Sequence, residues 1–138
     1  MTTTYQRRPG VGRHSVNSYA AVGLQTEVLS ATPEELISLL IDGARTSTIK
    51  AMIHLENGEI AQRGEAISKA INIVDNGLKA VIDKEKGGEV ADQLITTYDL
   101  ILYHLTQANM KSEEKGLIIA RDMLQSLGDT WFEATQGK

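Results

Sequence analysis

Apolar residues recur along most of this chain at steps of three and four, the spacing that aligns one face of an α-helix. From Ile60 the seam continues through Gly64, Ile67, Ile71, Val74, Leu78 and Val81. A second seam joins Ala91, Leu94, Tyr98, Ile101, Leu105 and Ala108. A third joins Leu117, Ala120, Leu124, Leu127 and Trp131. Period-two alternation, the mark of a half-buried strand, is not sustained anywhere. Upstream, Val16, Tyr19, Ala20 and Leu24 give residues 15–30 a weaker helical pattern.

Start and stop signals divide the pattern into elements. Thr32-Pro33-Glu34-Glu35 reads as a capped helix start: Thr32 caps, Pro33 suits the first helical position and Glu35 closes a capping box. The helix it opens is predicted to reach about residue 56, where Asn57-Gly58 tolerates the left-handed backbone of a helix stop. A second helix is predicted over about 59–83, with Lys86-Gly87-Gly88 as the following turn. A third is predicted over about 89–109. A fourth runs from Ser112, read as its cap, to about 133. Long helices joined by short connections pack as antiparallel neighbours. The expected fold is all-α, an antiparallel up-down-up-down four-helix bundle with a short N-terminal helix or flexible arm. Residues 1–14, rich in Thr, Arg, Gly and Pro, are expected to form a flexible basic arm. Residues 15–138 are expected to form a single helical domain.

Charge and composition narrow the functional classes. The net charge is −4, and it is unevenly spread. Arg7, Arg8 and Arg13 lie in the first 26 residues, and all 18 acidic residues lie after them. An acidic body disfavours nucleic acid as the main partner, because phosphate binding needs a basic face. With no cysteine, disulfides and thiolate metal sites are ruled out, which fits a reducing compartment. No apolar run approaches the roughly 20 residues that span a bilayer, so no direct membrane insertion is expected. The N-terminus has no apolar core of a secretory signal.

Catalytic and metal chemistry finds little to work with. The residues three before His14, His54 and His104 are Val11, Ala51 and Ile101, so the Glu-x-x-His pairs of di-metal bundles do not occur. Phosphate-loop and nucleophile-elbow motifs do not occur either. No metal, no cofactor and no enzymatic activity are therefore expected. What remains is a surplus of apolar positions. Residues 36–41 are apolar on most sides, and Ile73, Ile95, Leu102, Ile118, Ile119 and Met123 lie off the seams. A bundle helix needs about three apolar positions in seven. The surplus either widens the core or forms an exposed partner-binding strip. Asn72 and Asn76, one turn apart beside Ile73, offer amide donors and acceptors suited to an incoming backbone.

Several stretches in a recurring order carry a family resemblance. They are residues 15–22 (SVNSYAAV), 29–37 (LSATPEELI), 42–44 (DGA), 68–78 (SKAINIVDNGL), 85–89 (EKGGE), 105–109 (LTQAN) and Trp131. Together they resemble the FliS family, the flagellin chaperones of bacterial flagellar export, over about residues 15–134. The resemblance implies a cytoplasmic chaperone that binds the disordered C-terminal segment of flagellin. It implies that binding prevents premature polymerisation and that the subunit is delivered to the flagellar type III export gate. No nucleotide or metal is implied. Val16 and Tyr19 match the family's pair for docking at the export gate protein. Asn72, Ile73, Asn76, Ile95, Leu102 and Tyr103 are the expected client-binding residues. The sequence departs from the family pattern in its longer basic arm and in Ile41, where an aromatic often precedes the Asp. A different four-helix adaptor, binding some other amphipathic helix, is the competing reading.

Overall fold

The structure is a computed structural model that describes residues 31–136. The expected basic arm over 1–14, and the segment that holds Val16 and Tyr19, lie outside the described residues. Within them the chain is helical throughout, with no strand.

Helix α1, Pro33–Glu56, starts as its sequence dictates. The Glu35 amide donates to Thr32 Oγ1 at 3.1 Å, and the Thr32 amide donates to Glu35 Oε1 at 2.8 Å. Two amides that a helix start leaves without partners are thereby satisfied. At the other end the amides of Asn57, Gly58 and Glu59 return to the carbonyls of Ile53, Leu55 and His54. Gly58 takes φ +72°, which glycine adopts without the Cβ clash that other residues meet.

Helix α2, Ile60–Asn72, passes without a break into a π-helical segment, Ile73–Lys79. Its wider turn closes with the Ala80 amide on the Asp75 carbonyl, five residues back, at 3.0 Å. This segment corrects the predicted seam. The residues buried along it are Arg63, Ile67, Ala70, Ile73, Val74, Gly77 and Leu78. A π turn brings adjacent pairs inward, Ile73 with Val74 and Gly77 with Leu78, so Ile73 joins the core and Ile71 moves to its margin. Ile60, the predicted first seam residue, is 69% exposed.

Helix α3, Lys84–Lys111, is a short first turn and a long helix joined at a non-helical Gly88, so its long part starts after the turn that the sequence predicts. Asp83 caps it, its carboxylate accepting from the amides of Glu85 and Lys86 at 3.1 Å each. The Gly87-Gly88 turn is present as a kink inside the helix, where Gly88 has φ +55° and ψ −128°. Helix α4, Glu114–Gln136, starts after Ser112. Ser112 was expected to cap α4. It instead ends α3, in a left-handed conformation with its amide on the Ala108 carbonyl.

The core runs between all four helices. Leu40, Ala44 and Ala51 of α1 meet Ile67 and Val74, Ile101 and Leu105 of α3, and Leu117, Ala120 and Leu124 of α4 in one cluster. Helix α1 packs on α2 and α4, and α3 packs on α4, α2 and the π segment. Small residues allow close approach. A methyl at Gly116 would lie 2.5 Å from the His104 carbonyl oxygen, so α3 and α4 touch there backbone to backbone. Thr48, fully buried, satisfies its hydroxyl by donating to the Ala44 carbonyl at 2.8 Å.

Candidate functional site

The seams outrun the core at one end, and an apolar cleft results. The fully buried layer ends near Leu40, Leu78 and Leu124. Beyond it, Leu94, Leu127 and Trp131 continue their seams but are only partly covered. With Ile37 from the start of α1 and Val90 from the start of α3, they surround a cleft of about 330 Å³. No charged side chain lines it; Tyr98, Thr130 and Trp131 bring its few polar atoms. Val90 on its rim is 64% exposed. A cleft of this size and character falls within the range that binds ligands or partner side chains.

Local chemistry fixes the walls. Trp131 Nε1 donates to the Glu34 carbonyl at 3.1 Å, tying the last turns of α4 to the first turn of α1. The Asp83 cap and the Gly88 kink set where Val90 enters. Tyr98 forms part of the floor. It is 4% exposed, and burial pushes its phenol up to about 12. A phenol is uncharged at neutral pH in any case, and the shift extends that neutral form to more alkaline pH.

The expected client-binding residues divide into four places. Lys79 Nζ donates to Asp99 Oδ1 at 2.6 Å, which joins the π segment to the middle of α3. That hydrogen bond, with the charge of Asp99, holds the Lys79 ammonium above its usual range. Ile95 and Leu102 lie four residues before and three after Asp99, so they flank it on the side facing the π segment. Asn72 and Asn76 lie four residues apart where α2 passes into the π segment, with the Asn76 amide donating to Asn72 Oδ1. Ile95, Leu102 and Asn72 are half-buried and Asn76 is exposed.

Tyr103 lies elsewhere. At about 100° per residue it is turned roughly 80–100° from Ile95 and Leu102. It is 55% exposed and packs edge-on against His104, beside a shallow hollow bordered by Lys115 and Ile119 of α4. Ile73 lies in the core with no exposed area, because the π turn points it inward. In this conformation it has no surface to offer a partner, which corrects its reading as a groove residue.

The cleft was missed in the sequence because its walls read as ordinary seam positions. The one available signal is that Val81, Leu127 and Trp131 fall near the C-terminal ends of their predicted helices and Leu94 near the N-terminal end of its own, positions that an antiparallel bundle brings together. No group of three or more His, Asp or Glu side chains is placed to hold a metal ion among the described residues. No helix among them is long and apolar enough to cross a membrane.

Comparison with known proteins bears on what such a surface is for. Residues 15–138 match the family described as "Flagellar protein FliS". The chain is 41% identical to a flagellar secretion chaperone FliS of Salmonella typhimurium over 116 residues, 84% of this chain and 86% of that one. It is 29% identical to the flagellar secretion chaperone FliS of Escherichia coli, over 85% of this chain and 86% of the relative. A Bacillus subtilis flagellar secretion chaperone FliS is 28% identical over 88% of this chain and 89% of its own length.

Proposed function

The chain belongs to the FliS family of flagellar secretion chaperones, and from that premise we propose that it binds the C-terminal segment of flagellin in the cytoplasm. In this reading the bound segment is kept from polymerising early and is then carried to the flagellar export gate. The observation that carries the proposal is the uncharged cleft of about 330 Å³, where four helices stop short of closing their own core. A segment that folds on binding gives up about 2–5 kcal/mol in ordering, so it must bury extensive apolar surface. The cleft supplies an anchor for one of its apolar side chains. Ile95 and Leu102 supply a second apolar strip, and Asn72 and Asn76 supply amides. Tyr103 offers a separate contact toward α4, so the client would wrap rather than lie in one groove.

We read the helices as an up-down-up-down antiparallel bundle. The pairing of Trp131 near the end of α4 with Glu34 at the start of α1 supports this. So does the close approach of Gly116, early in α4, to His104, late in α3. Val16 and Tyr19 are assigned to docking at the export gate protein.

Calorimetric titration with a peptide of the flagellin C-terminus tests the reading. Tight binding with a strongly negative heat-capacity change is expected. Binding without that change would remove the apolar-burial account. A pull-down with flagellin lacking its C-terminal segment separates this function from a general helix adaptor, since only the chaperone should lose its client. Val16→Ala with Tyr19→Ala should spare flagellin binding and weaken gate docking.

A further inference from the structure

Two asparagines of the chain are followed directly by glycine, Asn57-Gly58 and Asn76-Gly77. Such a pair carries latent chemistry. The backbone nitrogen after an asparagine can attack the carbonyl carbon of its side chain, and glycine, with no side chain of its own, hinders that attack least. By sequence the two pairs are equivalent. Their surroundings in the fold are opposite.

Asn57 and Gly58 form the turn between α1 and α2, and both are exposed. Asn57 ends α1 with φ −87° and ψ 1°. A methyl placed on Gly58 meets nothing within 4 Å, so the space beside it is open. To bring the Gly58 nitrogen against its side-chain carbon, Asn57 must rotate about ψ. That rotation releases the Gly58 amide from the Leu55 carbonyl, a bond of 3.2 Å and the longest of the three that close the turn. Motion in an exposed turn belongs to the low-cost end of local opening. Asn76 lies inside the π segment, where Gly77 is buried and Ile73, Val74 and Leu78 belong to the core. Its side-chain amide is engaged in donating to Asn72 Oδ1. The same rotation there must unwind a packed helix, which costs a large part of the global stability.

We propose that Asn57 is a site of spontaneous deamidation in the folded chain and that Asn76 is protected from it. The Gly58 nitrogen gives up its proton to base and bonds to the Asn57 Cγ. The bond from Cγ to the side-chain nitrogen breaks, and that nitrogen takes up a proton and leaves as ammonia. Water then opens the cyclic imide. Cleavage at Cγ gives aspartate. Cleavage at the Asn57 backbone carbonyl gives isoaspartate, in which the main chain runs through the former side chain. Nothing is oxidised or reduced, and water is the only reactant consumed. Either product puts a carboxylate at the C-terminal end of α1, where the helix already carries a negative partial charge. Glu59, whose carboxylate is 2.7 Å from His54 Nδ1, adds a second acid two residues on. The modification therefore weakens the α1–α2 turn. It does not depend on which client the chain carries.

The test incubates the full chain, folded and in urea, at mildly alkaline pH and maps its peptides by mass over time. Conversion of each side-chain amide to a carboxylate is read directly. In urea both pairs should react at similar rates. In the folded chain Asn57 should react, and faster as pH rises. Asn76 should react at least about tenfold more slowly than in urea, since its helix must open first. Asn57 protected as fully as Asn76, or Asn76 reacting as fast as Asn57, would overturn the proposal. Asn57→Asp carries the aspartate product from the start and should unfold at a lower urea concentration than the wild type. A midpoint equal to or above that of the wild type would overturn the weakening of the turn.

Discussion

Trp131 Nε1 donates a hydrogen bond to the carbonyl of Glu34 at 3.1 Å, across 97 positions of chain. The bond closes the fold where the last helix meets the first, and it forms one wall of the apolar cleft. It places the chain's single tryptophan at the proposed client anchor.

Trp131→Phe keeps most of the ring and removes the donor. Its expected cost is about 1 kcal/mol, the usual net value of one hydrogen bond. Trp131→Ala removes the wall as well and should cost about 3 kcal/mol. Urea unfolding of the two variants checks the order. In the wild-type chain, tryptophan emission should move to shorter wavelength as the flagellin peptide fills the cleft. Emission unchanged at saturating peptide would place the client elsewhere.

Gly116 marks a close contact between α3 and α4. A methyl there meets the His104 carbonyl oxygen at 2.5 Å and the Ala108 side chain at 3.1 Å. The carbonyl belongs to helix backbone and cannot swing away as a side chain would. Gly116→Ala gains about 1 kcal/mol in helix propensity. Overpacking of 1–3 kcal/mol or more opposes it. A net loss of about 1–2 kcal/mol is expected from denaturant unfolding. By contrast, a methyl at Gly64 meets nothing within 4 Å, so Gly64→Ala should stabilise the chain.

Much of this architecture was legible in the residues. The Thr32-Pro33-Glu34-Glu35 start formed both reciprocal bonds because its geometry is local and complete within four residues. The seam of α3 needed no tertiary information, and its residues Ala91, Tyr98, Ile101, Leu105 and Ala108 are buried as read. The π segment was not legible. Residues 73–79 fit an α-helical heptad equally well, and only packing against α1 and α3 selects the wider turn that buries Ile73. Ser112 misled for a similar reason: serine caps helix starts, but one residue cannot show which of two adjoining helices it serves. The cleft escaped notice because periodicity reports which side a residue faces and not whether anything covers it.

Tyr98 gives the fold a dependence on alkaline pH. Burial pushes its phenol up to about 12, against about 10 in the unfolded chain. Below pH 10 both states are protonated and the fold keeps its full stability. Between 10 and 12 the unfolded chain releases the proton and the folded chain does not, so stability falls as pH rises. The loss attached to this group is on the order of 2 kcal/mol. Tyr98→Phe should therefore lose less stability than the wild type between pH 9.5 and 12 by about that amount. Parallel fall in the two proteins would mean that Tyr98 titrates normally.

The parts of the client surface differ in burial: Val90 and Tyr103 are exposed, while Leu102 packs against the core and its truncation also costs some stability. Val90 is 64% exposed on the cleft rim, and Val90→Asp leaves the free chain within about 0.5 kcal/mol of wild type, as surface changes do. The same aspartate would have to be desolvated when an apolar side chain enters the cleft, so affinity for the flagellin peptide should fall at least tenfold. Leu102→Ala probes the strip shared with Ile95, and Tyr103→Ala probes the face toward α4. A wrapping client loses part of its affinity in each variant. Val90 is far from the other two along α3, and distant contacts add. Val90→Asp combined with Leu102→Ala should therefore show the sum of the separate losses in free energy, whereas the neighbours Leu102 and Tyr103 can couple. A client seated in the cleft alone would respond to Val90→Asp and ignore the other two. Calorimetry on the wild type and the four variants distinguishes these outcomes. A full response to Leu102→Ala and Tyr103→Ala with none to Val90→Asp would remove the cleft from the binding surface.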